Sequence, residues 1–196
     1  MYLIFDTETT GVPKNYKAPM ADLDNWPRVI QLAWAMYDEN HELVASRCDL
    51  IKPDGWVMPQ EKFWIDNGFS QYQSLKEGIA INVALAHFIE ALEKCRYLVA
   101  HNMKFDHNIV GAEMLRLGVS TAYKIQKICT MESTTSLVAI RNNYGGFKWP
   151  KLEELHIYLF RSNFEGAHDA GYDVAATAKC FFELINRKVI TLNQES

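Results

Sequence analysis

A chain of 196 residues with 48% hydrophobic and 22% charged residues can bury one sizeable core, and residues 1–196 read as a single domain. No apolar run approaches the roughly 18 residues of a membrane span, and no basic stretch leads into an apolar signal segment at the amino terminus, so a cytoplasmic protein without a membrane partner is expected. The formal charge of −4 is the wrong sign for coating a long nucleic-acid backbone with basic side chains, and Cys48, Cys95, Cys129 and Cys180 form no Cys-x-x-Cys pair, which excludes a zinc knuckle, a redox motif and a disulfide framework.

The chain opens on an apolar run, Tyr2 to Phe5, that reads as a short buried strand, with Thr9-Thr10-Gly11 as the turn that ends it. If the strand continues that far, alternation puts the carboxylates of Asp6 and Glu8 on one face, roughly 6 to 7 Å apart, and Thr7 on the other. Two like charges at the end of a buried strand need either a raised pKa or a bound cation, and oxygen ligands of this kind suit Mg²⁺ or Mn²⁺ better than zinc. Taken alone, the same stretch reads equally as a strand that has reached water, with solvated turn acids. Residues 12–28, with Pro13, Pro19 and Pro27, read as a long irregular excursion, either a wall of a site or a surface decoration, whose return is anchored by Trp26-Pro27. Val29 to Tyr37 and His41 to Ile51 read as a hairpin turning at Asp38-Glu39-Asn40. From Pro53 to Gly78 no period is sustained; short helical turns are expected, with Trp56, Phe63, Trp64, Phe69 and Tyr72 anchoring the segment to the core in preference to stacking on bases.

A helical pattern begins at Ile79, its strongest apolar face formed by Ile81, Leu85, Phe88, Ile89 and Leu92. Arg96 to Ala100 reads as a buried strand. Asn102 then reads as the N-cap of a helix through Leu117 closed by Gly118, with Met103, Val110, Met114 and Leu117 as core stripe and Asp106 in the first turn. Lys124 to Thr130 reads as a fifth strand, followed by a polar helix-forming stretch, a loop at 142–147 and a helix over Lys151 to Phe160. The last helix is expected over Ala170 to Arg187, capped by Asp169, with Val174, Ala178, Phe181 and Ile185 on one stripe. The sum is an α/β protein with a mixed sheet of about five strands.

Asp6 and Glu8 after the first strand, Asp106 beyond the fourth, and Asp173 in the first turn of the last helix put acids where chain elements begin or end. Four carboxylates together would offset two divalent cations about 3.5 to 4 Å apart, a pair that can clamp the attacking and leaving oxygens of a phosphodiester. Such ions would also let an acidic protein meet an acidic substrate. His168, five residues before Asp173, has the near-neutral imidazole that suits a general base. His41, His87, His107 and His156 read as structural.

Phe5-Asp-Thr-Glu-Thr-Thr-Gly11, His101-Asn-Met-Lys-Phe-Asp106 and His168-Asp-Ala-Gly-Tyr-Asp173 together resemble the three exonuclease motifs of the DnaQ-like family, the DEDDh 3′-to-5′ exonucleases. The resemblance spans nearly the whole chain. It implies a ribonuclease-H-like fold, with three antiparallel meander strands and then two parallel ones, flanked by helices. It implies that Asp6 bridges two Mg²⁺ or Mn²⁺ ions, that Glu8 and Asp173 complete the water-activating site, that Asp106 holds the second ion and that His168 is the general base releasing nucleoside 5′-monophosphates. Thr7, Thr9 and Thr10 would cradle the terminal nucleotide, and His101, Asn102 and Phe105 would line its pocket or, alternatively, cap and pack the helix. The implied partner is a nucleic-acid 3′ end, single-stranded DNA first and RNA second. The alternatives are a proofreading subunit bound to a polymerase, a non-catalytic module that holds a nucleic-acid end, and a zinc hydrolase built on His101, Asp106 and His107. About nine residues follow the last expected helix, fewer than a polymerase-binding tail would need, and the long insert at 12–28 departs from compact relatives.

Overall fold

The computed structural model describes residues 1–192; the last four, the end of the expected tail, lie outside them. The described residues form five strands and seven helices, the strands in one sheet of order β3-β2-β1-β4-β5. Strand β1 (Tyr2–Thr9) pairs antiparallel with β2 (Val29–Tyr37), which pairs antiparallel with β3 (Leu43–Leu50). On its other side β1 pairs parallel with β4 (Tyr97–Ala100), and β4 with β5 (Gln126–Cys129). This is the mixed meander-then-parallel sheet that the sequence leads one to expect.

Strand β1 is central, and its alternation assigns its two faces. Leu3 and Phe5 pack with α3 (Ile81–Glu93) and α4 (Met103–Arg116) in one core, where the rings of Phe5 and Phe88 lie 5.3 Å apart. Tyr2 and Ile4 pack with α6 (Leu152–Phe160) and α7 (Ala170–Asn186) in the other. The strand runs on through the acids to Thr9, one residue into the expected turn, because Asp6, Thr7 and Glu8 pair with Ala33, Leu32 and Gln31 of the longer β2. By alternation Asp6 and Glu8 continue the α7 face and Thr7 the α4 face.

Three details of helices α3 and α4 depart from the sequence reading. Helix α3 starts at Ile81, because Ile79 is drawn into a parallel bridge with Ile51 at the end of β3. Leu117 is exposed, and Ile109 and Ala112 fill the α4 stripe in its place. Asn102 holds the N-cap position of α4 through its carbonyl, which accepts from the Phe105 and Asp106 amides, and not through its side chain. Asp169 caps α7 as expected, its Oδ1 accepting from Gly171 N at 2.9 Å and Tyr172 N at 3.4 Å.

The 12–28 excursion is ordered by its own polar groups. Asn15 N donates to Asn25 Oδ1 at 2.7 Å, and the indole of the buried Trp26 donates to Pro19 O at 3.0 Å. It then lies along α4, with the Met20 thioether seated on Gly111, where a Cβ would displace it, and Arg116 Nη2 donating to Leu23 O and Trp26 O. Between β3 and α3 stand the short helices α1 (Lys62–Asp66) and α2 (Gln71–Glu77). Phe69 is buried there, and Trp56 and Trp64 pack around it, whereas Phe63 and Tyr72 are exposed. Helix α5 (Thr130–Val138) follows directly on β5. No helix among the described residues is long and apolar enough to cross a membrane.

Candidate active site

Parallel strands β1 and β4 end on the same side of the sheet, where ligands of α/β proteins gather. Strand β1 delivers Asp6 and Glu8 there, and β4 leads into α4, whose first turn carries Asp106. Asp106 is buried and turned onto β1: its Oδ1 accepts from Thr7 N at 3.2 Å and from Thr7 Oγ1 at 2.8 Å. Thr7, on the face opposite Asp6 and Glu8, thus ties the second motif to the first.

The third corner is the start of α7. His168 has a left-handed backbone (φ 71°), and its N–H donates to Asp173 Oδ2 at 3.2 Å. Ligand atoms of Glu8, His168 and Asp173 all lie within 4.8 Å of one another. The His168 ring is exposed and meets the Phe63 ring edge-on at 5.3 Å, while Trp64 Nε1 donates to Thr9 O at 2.9 Å. Helix α1 therefore stands against these residues as one wall.

Charge is the dominant physical feature here. Burial, then the neighbouring Asp106, Asp173, Glu8 and Asp169, drive the Asp6 carboxyl well above the usual carboxylate range. Glu8 is raised to about 8 by burial and then by Asp173, Asp106 and Asp169. Asp106 is raised to about 7 by burial, against the lowering effect of its Thr7 hydrogen bonds. Asp173 is raised to about 6, also by burial first; the His168 N–H and ring charge oppose this, and Asp169 and Glu153 add to it. None of the four forms an ion pair with a Lys or Arg among the described residues. A donor set of crowded carboxylate oxygens with no internal counter-charge fits hard divalent cations.

The remaining expected residues divide by what their polar groups already do. His101 is buried with Nδ1 on Thr130 Oγ1 at 3.0 Å and Nε2 on Pro150 O at 2.9 Å, and burial lowers its pKa to about 4. Both ring nitrogens are thus engaged within the fold. Thr9 Oγ1 donates to Gly11 O, whereas Thr10 Oγ1 accepts from Arg28 N and so keeps its own proton to donate. Asn102 and Phe105 are half-buried, Phe105 against the α3–α4 core.

Sequence reasoning missed Gln31. It is buried in β2 opposite Glu8, and its amide grips the start of α7 from both ends: Oε1 accepts from Ala170 N at 2.8 Å and Nε2 donates to Asp169 Oδ2 at 3.2 Å. A lone polar residue in an apolar strand was the only signal of it.

A family model described as exonuclease matches residues 3–181. No individual curated protein matches by sequence. Among solved structures, E. coli exonuclease I in complex with a dT13 oligonucleotide is similar, with a TM-score of 0.72 and 18% identity over 94% of this chain and 40% of that one. The zinc-bound form of the E. coli exonuclease I complex with single-stranded DNA aligns with a TM-score of 0.72 and 19% identity, over 95% of this chain and 41% of that one. Cell-death related nuclease 4 (CRN-4) aligns with a TM-score of 0.69 and 22% identity, over 95% and 64%. The chain spans less than half the length of the exonuclease I chains, and at these identities the likeness establishes the fold.

Proposed function

The chain belongs to the exonuclease family, the DnaQ-like branch of the ribonuclease-H-like superfamily, and from that premise we propose that it removes nucleoside 5′-monophosphates from the 3′ end of single-stranded DNA, with RNA as second substrate class. The observation that carries the reading is the convergence of Asp6, Glu8, Asp106, Asp173 and His168 at one end of the sheet, with no cationic side chain paired to the four acids among the described residues. Asp6, Glu8, Asp106 and Asp173 would hold two divalent ions, Mg²⁺ or Mn²⁺. Bound there, the ions supply positive charge to the phosphodiester and offset that of the carboxylates.

The chain's own residues do the rest. His168, with an exposed ring beside Glu8 and Asp173, takes the proton of the attacking water. Thr7 fixes the rotamer of Asp106 through two hydrogen bonds, and Gln31 with Asp169 holds the helix turn that presents His168 and Asp173. Thr10, Asn102 and Phe105 would bound the terminal nucleotide, Thr10 with a free hydroxyl proton.

The test is incubation with 5′-labelled single strands, DNA and RNA in parallel, with Mg²⁺ or Mn²⁺ and then with chelator. A ladder of products shortened from the 3′ end and abolished by chelator is expected. Intact substrate held in a stable complex would replace this reading with that of a non-catalytic end-binding module.

A further inference from the structure

Beyond the carboxylate cluster, the segment joining α5 to α6 carries features that the exonuclease chemistry does not use. Between Glu132 and Glu153 the sequence has no acid and three bases, Arg141, Lys148 and Lys151, in a chain of formal charge −4. The segment is a built hairpin. Arg141 bridges Phe147, Lys148 N donates to Ile140 O at 2.8 Å, and Asn142 Oδ1 accepts from Tyr144 N at 2.9 Å and Gly146 N at 3.0 Å. Gly145, with φ 86°, lets the tip turn.

This ordered frame holds aromatic rings in water. Tyr144 is 96% exposed, Trp149 64% and Phe147 44%, on a short stretch where a fold without a partner would show polar residues. Arg141 and Lys151 make no ion pair among the described residues, while Lys148 is paired with Glu154 at 2.5 Å. The foot of the hairpin is tied to the junction of β4 and α4: Pro150 O is the acceptor of the His101 ring, and His101 immediately precedes the N-cap of the helix that carries Asp106. Aromatic faces interleaved with unpaired cations form the pattern that binds single-stranded nucleic acid without reading its sequence.

We propose that the 141–151 hairpin is a docking surface for the single strand on the 5′ side of the bond being cleaved. Tyr144 and Trp149 stack on bases, and Arg141 and Lys151 contact phosphates. The proposal rests on the exonuclease reading for where the strand comes from, but its binding can be measured without turnover.

The experiment compares wild type with a Tyr144→Ala, Trp149→Ala double variant by fluorescence anisotropy. The ligands are a labelled strand of about 12 nucleotides and a labelled dinucleotide, both with a non-hydrolysable 3′-terminal linkage, in Mg²⁺. The longer strand is expected to lose about tenfold or more in affinity, the dinucleotide less than about twofold, and Trp149→Phe alone to bind as wild type because it keeps a ring to stack. Arg141→Gln should reduce the salt dependence of long-strand binding by about one phosphate contact. Because the altered side chains are exposed, an unchanged thermal melt is expected alongside. Equal long-strand affinity in wild type and double variant overturns the proposal, even if wild type degrades the strand. Hairpin-dependent binding by a wild type that degrades nothing supports the docking surface and overturns the exonuclease reading alone.

Discussion

Helix α4 buries two acids, and the protein treats them in opposite ways. Glu113 is almost inaccessible, and its Oε1 accepts from Arg28 Nε at 2.8 Å and Val29 N at 3.2 Å and forms an ion pair with the Arg116 guanidinium, Nη1 at 3.0 Å. Asp106, two turns earlier and also buried, takes the amide and hydroxyl of Thr7 and shares its surroundings with Asp6 and Asp173. At Glu113 the chain supplies the counter-charge itself, and the result is a clasp that fastens the excursion to the helix. At Asp106 it supplies neutral donors and more acids, an arrangement that isolated folding would penalise. Crowded acids without counter-charge mark a place completed from outside; a buried acid with two arginines marks a joint.

The variants that break this contrast can be ordered by effect. Asp6→Asn should cut chelator-sensitive hydrolysis by about 10³-fold or more, yet raise the thermal midpoint of the metal-free protein by removing one of the repelling charges; a lowered midpoint would contradict the charge argument. His168→Ala should lower the rate by about 10²- to 10⁴-fold, the usual worth of a general base, without altering the metal-free melt. Unchanged kinetics would sink its assigned role. Glu113→Ala should have the opposite character, losing about 3 to 5 kcal/mol in denaturant unfolding because Arg28 and Arg116 are left without their acid, while the folded fraction retains wild-type turnover. Gln31→Leu should lower kcat by about tenfold with KM little changed, since it loosens the turn that presents His168 and Asp173; an equal loss for a substrate-binding variant and this one would point to general destabilisation instead.

Acidity sharpens the same contrast. Glu8 at about 8 and Asp106 at about 7 lie above their unfolded values near 4. The folded chain therefore keeps protons that the unfolded chain has released. For the metal-free protein this stabilisation is fully present below about pH 4 and is lost as the pH rises through 7 to 8, where Mg²⁺ or Mn²⁺ should restore it. A metal-free melt that instead rose steadily over that range would contradict the assigned shifts.

What could be read from the sequence was what depends on local pattern. Alternation along β1 placed Asp6 and Glu8 on one face, the apolar run Val29 to Tyr37 announced β2, and Asp169 announced the start of α7. What escaped depends on partners distant in the chain. Ile79 looks helical until Ile51 pairs with it. Glu113 gains Arg28 from across the excursion, a partner that no local pattern announces. Gln31 has no local partner, and its meaning appears only when the start of α7 comes to rest on β2. Phe63 resembles its aromatic neighbours in sequence and differs only in ending beside His168.

Calorimetric titration with Mn²⁺ near pH 7.5 tests the central contrast most directly. We expect wild type and Glu113→Gln each to bind two ions per chain, releasing protons detectable as a buffer-dependent heat because Glu8 and Asp106 are partly protonated beforehand. Asp6→Asn should lose this binding. Failure of wild type to bind Mn²⁺, or undiminished binding by Asp6→Asn, would contradict the account.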